Sequence, residues 1–316
     1  MNKQNLISIV VPIYNEAEII SSFVKEVEDV LVEENYEIIF VCDPSTDGSE
    51  KILEDLSNNQ PKKFKTLLMS RRFGQHKCII AGLRHTEGSA VVVMDVDGQD
   101  PITVIPKMLE KLRSGFDVVY GKRLKREKIT LINKLTSKVG LFFVSKLSYL
   151  DIPTNVGEFR IMSKKVVNEL NNLSDFNPFL RGMVSYVGFK QTSVSFVRPQ
   201  RISGETKYSK FFGSISFGVN ALTSFSNKLL NFSILMGLFI SFISMVLGFI
   251  YLYFKITGRI DFPIGNPTIV ILLLFLGGIQ LFSIGILGIY IGQISDQVKN
   301  RPMYIVETYY GDINKN

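Results

Sequence analysis

The sequence has no tryptophan and, in 316 residues, two cysteines and two histidines. Cys42 and Cys78 cannot supply the disulfide framework of a small secreted domain, and both read as buried small apolar side chains. His76 and His85 lack the Cys or His company that a zinc site needs, so they read as structural or surface residues. A positively charged, cleavable leader is also missing from the start: Leu6–Ile13 is a strand-like apolar run that leads straight into a polar loop, so the N-terminal part is expected to stay in the cytosol. The net charge of +7 suits a protein that handles phosphates near anionic lipid. It comes without an RNA-recognition, zinc-finger or basic-helix pattern, which sets nucleic acid aside as a partner.

Charge itself is absent from two long stretches, Leu229 to Phe254 and Thr268 to Ile291. The second spans 24 residues. As a helix it would reach about 36 Å, enough for a hydrocarbon core of roughly 30 Å with some tilt. The alternative is a buried hairpin of a soluble protein, but core helices seldom lack charge for so long. Lys210, Lys228, Lys299 and Arg301 flank the pair on one side, against Lys255 and Arg259 in the connecting loop. The positive-inside rule then gives a multi-pass hairpin in the inner (cytoplasmic) membrane with both termini cytoplasmic.

The first 228 residues carry charge throughout and alternate strand and helix signals. Leu6–Ile13, Tyr36–Cys42, Phe64–Ser70, Ala90–Asp95 and Phe116–Tyr120 read as strands, with helices over Ala17–Val32, Ser49–Leu56, Cys78–Arg84 and Val104–Leu112. That order predicts an α/β fold, Rossmann-like, with a mostly parallel sheet whose ligands sit beyond the carboxyl ends of the strands. Two more stretches have apolar residues at helical spacing, one over Ile132, Leu135, Val139, Phe142 and Phe143, the other from Tyr208 to Leu222. The second leads directly into the first uncharged run. It could pack on the core or lie in the headgroup layer, and its place before a span favours the membrane surface.

Polar clusters fall where the sheet would bind ligands. Asp95-Val96-Asp97-Gly98-Gln99-Asp100 follows an apolar strand, and on extended backbone Asp95, Asp97 and Gln99 would share a face. Two carboxylates and an amide oxygen make a hard-oxygen site for Mg²⁺ or Mn²⁺; the plainer alternative is a solvated acidic turn. In Asp43-Pro44-Ser45-Thr46-Asp47-Gly48-Ser49, Asp43 could accept hydrogen bonds from a nucleotide, while Asp47 and Ser49 fit caps of the next helix.

Together, Val10-Val11-Pro12-Ile13-Tyr14-Asn15-Glu16, the Asp43 turn and the Asp95 cluster resemble the opening of family 2 glycosyltransferases of the GT-A fold. Asn155-Val156-Gly157-Glu158-Phe159-Arg160, Arg201-Ile202-Ser203-Gly204-Glu205-Thr206-Lys207-Tyr208, Phe275-Leu276-Gly277-Gly278-Ile279-Gln280 and Tyr290-Ile291-Gly292-Gln293 narrow the resemblance. In order along nearly the whole chain, they are similar to the bactoprenol glucosyltransferases of O-antigen modification, relatives of dolichol-phosphate mannose synthase. The resemblance implies that Pro12, Tyr14, Glu16 and Asp43, with Asp95, frame the nucleotide. Asp95, Asp97 and Gln99 hold the metal and donor diphosphate, and Arg123, Arg160, Arg201 and Lys207 meet phosphates of donor or lipid. Asp97, Glu158 and Arg160 form the catalytic group.

The implied partners are a nucleotide sugar, a polyisoprenyl phosphate and the membrane, with a homo-oligomer and a downstream flippase and polytopic glycosyltransferase as further expectations. The implied organisation is a cytosolic GT-A catalytic domain over residues 1–207, an amphipathic juxtamembrane helix over 208–227, a transmembrane hairpin over 228–292 and a cytosolic tail over 293–316. The implied reaction is metal-dependent, inverting transfer of a hexose, from UDP-glucose first and otherwise from GDP-mannose or a UDP-N-acetylhexosamine, to undecaprenyl phosphate for cell-envelope glycan modification.

Two departures stand out. Pro44 replaces the glycine usual in relatives and biases Asp43 towards extended backbone. Glu158 replaces an aspartate, which keeps the charge with one more methylene of reach. A phosphate monoester is mostly a dianion at neutral pH and needs little help from a base, so Glu158 is expected to position groups rather than take a proton. A processive polysaccharide synthase would carry a Gln-x-x-Arg-Trp motif, which a chain without tryptophan lacks. A nucleotide-binding scaffold without activity is the rival of another class.

Overall fold

The computed structural model describes residues 5–124, 153, 156–173, 175, 178–199, 228–257 and 267–313. The chain divides into two compact units, one made of residues 1–139, 150–214 and 301–316, the other of 140–149 and 215–300. The helix expected over Ile132–Phe143, the juxtamembrane helix, Asn155, Arg201, Lys207 and Arg259 lie outside the described residues.

In the first unit, β1 (Leu6–Ile13), α1 (Ala17–Val30), β2 (Asn35–Cys42), α2 (Ser49–Asn59), β3 (Phe64–Met69), α3 (Gln75–Arg84) and β4 (Ala90–Val93) alternate as expected. A short 3₁₀ turn (Ile102–Val104) leads into α4 (Ile105–Arg113), followed by β5 (Val118–Arg123), β6 (Val156–Ser163), α5 (Lys164–Asn172), α6 (Leu180–Val187) and β7 (Gln191–Phe196). Strands β1, β2 and β4 are buried almost end to end because helices cover both faces of the sheet. Helix α1 turns Ile19, Ile20, Phe23, Val24 and Val27 inward at three- and four-residue spacing. Helix α3 lies so close to the sheet that a Cβ on Gly82 would come within 2.4 Å of Val10 and 3.1 Å of Val41.

The sheet runs β7-β5-β6-β4-β1-β2-β3-β8 among the described residues, and four of the seven neighbouring pairs are parallel. Three features differ from the sequence expectation. Strand β4 stops at Val93, not Asp95, so the acidic residues lie on a turn. The Gly157–Arg160 motif lies within an antiparallel strand, β6, inserted between β4 and β5. The stretch expected as a cytosolic tail includes β8 (Val306–Tyr310), which pairs antiparallel with β3 at the edge of the same sheet. Phe73, Tyr304, Val306, Tyr309 and Ile313 pack over Ile39, Val41, Leu67, Met69, Cys78 and Ala81 there. The apolar residues of this terminal segment, Val306 and Ile313 among them, therefore serve a core rather than a tail.

The second unit contains α7 (Lys228–Ile256) and α8 (Pro267–Val298), which touch each other. Both are long and apolar enough to cross a membrane, with the most apolar windows at Ser233–Ile250 and Phe275–Val298. Large side chains such as Leu235, Phe239, Phe249, Leu273, Phe282 and Ile291 are exposed along them.

Candidate active site

The turns after β1 and β2 are laced together. Asn15 takes a positive φ of 52°, which asparagine tolerates better than most residues, and its N–H donates to Ser45 Oγ at 3.1 Å. Thr46 N–H returns a bond to Asn15 Oδ1 at 2.9 Å. Asp47 caps both neighbouring helices: Oδ2 accepts from Ala17 N–H at 2.8 Å and Oδ1 from Ser49 N–H at 3.1 Å. Burial works to raise its pKa, but these bonds outweigh it and hold the carboxyl below its ordinary value. Ser49 Oγ accepts from Glu16 N–H at 3.0 Å, so the serine serves the first helix rather than its own.

Pro12, Tyr14 and Glu16 are half-buried along this edge, and the Arg72 guanidinium lies 4.0 Å from the Tyr14 ring centroid. Asp43 is 2% exposed and faces inward. Its carboxylate accepts from Phe73 N–H at 2.9 Å, Gly74 N–H at 2.8 Å and the Cys78 thiol at 3.3 Å. In this arrangement Asp43 clamps the loop between β3 and α3. That loop delivers Gln75, whose amide donates to Asp95 Oδ1 at 2.6 Å.

The acid turn is folded rather than extended. Gly98 has φ +74°, Gln99 N–H donates to Asp97 Oδ1 at 3.1 Å, and the Arg198 guanidinium takes the Gln99 amide oxygen. On this folded backbone, strand alternation does not set the faces of Asp95, Asp97 and Gln99. Asp100 is the buried member, and its Oδ2 accepts from Asp95 N–H at 3.4 Å. Arg123 lies 3.7 Å from Asp100 Oδ1. Burial, then the carboxylates of Asp100, Asp97 and Glu158, push Asp95 up to about 8. Burial also raises Asp100 to about 6, against the pull of Arg123. Among the described residues no three His, Cys, Asp or Glu side chains form a ready-made metal cage.

Strand β6 brings the third group alongside. Glu158 and Arg160 are 6% and 0% exposed. The Arg160 guanidinium meets Glu158 Oε2 at 2.9 Å and the Gly157 carbonyl at 2.9 Å, and lies 5.3 Å from the Tyr120 ring centroid. The other Glu158 oxygen accepts from Arg181 Nε on α6 at 2.8 Å. Burial alone would raise the Glu158 pKa, but Arg160, Arg181 and His76 outweigh it and hold the carboxyl below its ordinary value. Burial lowers the His76 pKa, against the raising pull of Glu158. A Cβ on Gly157 would come within 2.6 Å of the Arg123 guanidinium, so this glycine makes room for that cation.

The structure thus gathers Asp95, Asp97, Gln99, Arg123, Glu158 and Arg160 near one end of the sheet, with Pro12, Tyr14 and Glu16 at the neighbouring strand end. Sequence reasoning missed Gln75, Arg181 and Arg198 and set His76 apart as structural. Gln75 and His76 were findable, because they open a helix just past a parallel strand. Arg181 is a single cation in an apolar segment with no local signature, and Arg198, three residues before Arg201, is joined to Gln99 only by the fold.

Residues 8–170 match the family model for glycosyl transferase family 2. The chain is 40% identical over 317 aligned residues to the "Uncharacterized glycosyltransferase YkcC" of Bacillus subtilis (strain 168), covering 100% of this chain and 97% of that one. It is 38% identical over 306 residues to the "SfII prophage-derived bactoprenol glucosyl transferase" of Shigella flexneri, covering 95% and 97%. It is 37% identical over 306 residues to the "Prophage bactoprenol glucosyl transferase homolog" of Escherichia coli (strain K12), covering 95% and 98%. The family match and these full-length similarities agree: the chain belongs to glycosyl transferase family 2.

Proposed function

We propose that this protein transfers a hexose from a nucleotide sugar, UDP-glucose first, to undecaprenyl phosphate at the cytoplasmic face of the inner membrane. The observation that carries the reading is the 38% identity to a bactoprenol glucosyl transferase across 95% of this chain, because that span takes in both apolar helices as well as the acid turn. The hairpin holds the enzyme where an acceptor that cannot leave the bilayer is found. GDP-mannose and UDP-N-acetylhexosamines remain alternative donors.

The acid turn, folded by the bonds of Asp95 N–H to Asp100 Oδ2 and Gln99 N–H to Asp97 Oδ1, supplies the hard carboxylate oxygens that suit a divalent cation, Mg²⁺ or Mn²⁺. Asp95 and Asp97 would hold it, and substrate phosphates would complete its shell, which is how Mg²⁺ usually binds. When bound, the ion supplies Lewis-acid stabilisation of the leaving diphosphate. Gln99, engaged by Arg198, would tie the acid turn to that arginine, and Arg123 with Arg198 would offer planar forks to phosphate oxygens. Pro12, Tyr14 and Glu16 would frame the nucleotide, with Asp43 acting through the loop it clamps. Arg201 and Lys207 are proposed to meet lipid or donor phosphate.

Glu158, held ionised between two guanidiniums, would position rather than deprotonate, since the acceptor phosphate is already anionic. Attack by that oxygen on the anomeric carbon, with departure of the nucleoside diphosphate from the opposite face, gives inversion. The test is to incubate detergent-purified protein with undecaprenyl phosphate and a panel of nucleotide sugars, then identify the lipid product by mass. A sugar-bearing lipid phosphate supports the reading, and nucleotide-sugar turnover with no lipid product contradicts it.

A further inference from the structure

We infer that Arg181 is a ligand of the acceptor phosphate and that Glu158 is the residue that aims it. The inference rests on the proposed polyprenyl-phosphate acceptor and assigns a residue to it.

The sheet order separates two sides. The edge formed by Pro12, Tyr14 and Glu16 follows β1, the acid turn follows β4, and β6 lies on the other side of β4 from β1. Glu158, with Arg181 bonded to it, therefore stands on the other side of the acid turn from the proposed nucleotide edge, and the second substrate is placed there. An anionic acceptor must approach the diphosphate of the donor, and a cation that meets it offsets that repulsion.

Among the described residues, four arginines are near. Arg160 is fully buried and bound to Glu158 Oε2 and two backbone carbonyls. Arg123 sits beside Asp100, and Arg198 holds Gln99. Arg181 is different: its side chain is 31% exposed, and among the described residues the bond it makes is through Nε alone, to Glu158 at 2.8 Å. A guanidinium fixed at Nε still presents its terminal NH₂ pair, the edge that forks onto phosphate oxygens. Glu158 is anchored from the opposite side by Arg160, so it fixes the direction of Arg181 without reacting. Its extra methylene relative to aspartate gives the reach from β6 to α6.

The rival reading is that Arg181 only neutralises a buried carboxylate. Replacing both members, Glu158→Gln with Arg181→Gln, separates the two. Binding of undecaprenyl phosphate and of undecaprenol, the same lipid without phosphate, is measured by thermophoresis in detergent for wild type, each single variant and the double variant. Thermal midpoints and UDP affinity are measured alongside.

The wild type is expected to prefer the phosphate form. Arg181→Gln should lose roughly 10- to 100-fold of that preference, the range for one charge-assisted hydrogen bond, with UDP affinity unchanged. Glu158→Gln should lose part of it. The double variant should melt no higher than Glu158→Gln, because the buried Arg160 loses its carboxylate in both, and should still lack the preference. A double variant that regains the preference, or a wild type that never had it, overturns the assignment. A protein that shows the Arg181-dependent preference but transfers no sugar keeps the assignment and overturns the proposed reaction instead.

Discussion

Val93, the last residue of β4, is paired across an antiparallel ladder with Arg160 on β6. That pairing sets the acid turn, which begins two residues after Val93, beside the Glu158 cluster. Two segments some sixty residues apart in sequence become one site.

The ionisation of Glu158 gives the first prediction. If it only positions groups, Glu158→Gln should lose less activity than the ~10²–10⁴-fold expected on removing a general base, and Glu158→Ala should lose more than Glu158→Gln. Equal losses of a thousandfold or more in both, at fixed donor and metal, would identify a carboxylate base. The folded pKa is depressed, so the carboxylate's stabilising contribution is fully present above its unfolded value of about 4.3 and is lost as pH falls through the lower folded value. The stability gap between wild type and Glu158→Gln should accordingly persist down to pH 5 and close in stronger acid. A gap that closes above pH 5 contradicts the depressed pKa.

Asp43→Ala removes the acceptor for Phe73 N–H, Gly74 N–H and the Cys78 thiol. With two part-buried backbone donors left unpaired, the expected loss of stability is about 1–3 kcal/mol. Nucleotide affinity should fall with it, because the loop carrying Gln75 is released. Denaturant titration and calorimetry with UDP measure the two effects. A variant of unchanged stability with weaker binding would instead make Asp43 a direct nucleotide contact.

Cys42 and Cys78 are each 1% exposed. Burial pushes the Cys42 thiol up to about 12, and burial with Asp43 pushes Cys78 higher still. Native protein at pH 8 should therefore take up no maleimide by mass, while denatured protein takes up two. This silent background permits a topology test in intact cells. A cysteine introduced at Gly258 should react with impermeant reagent added outside, and one at Asn314 should not. The reverse pattern would sink the cytoplasmic placement.

Deleting residues 301–316 removes β8 and uncovers β3 together with the apolar cluster of Leu67, Met69 and Phe73. The catalytic unit should then unfold at markedly lower temperature, although every residue assigned to substrate chemistry is retained. Fluorescence-monitored melting checks this, and an unchanged midpoint would mean that β8 is dispensable.

The parallel half of the sheet was legible in the sequence because its strands are buried on both faces and read as short apolar runs. The acid turn and the Glu158 motif were visible as residues but not as geometry. Gly98 breaks the extended path, so side-chain alternation misplaced Gln99, whose oxygen goes to Arg198. Strand β8 was missed because it is short, half polar and separated from its partner by both apolar helices. Arg181 was missed because a lone cation on an eight-residue helix has no local signature; its meaning comes from Glu158 on another element.

The central claim is sugar transfer onto a polyprenyl phosphate by the acid turn. The most direct measurement is the mass of undecaprenyl phosphate after incubation with wild type or Asp97→Ala, nucleotide sugar and saturating Mg²⁺ or Mn²⁺. The expected result is a lipid heavier by one anhydrohexose with wild type, and unmodified lipid with a variant that melts normally. Unmodified lipid with wild type across every donor tried, or normal turnover by Asp97→Ala, would contradict the account.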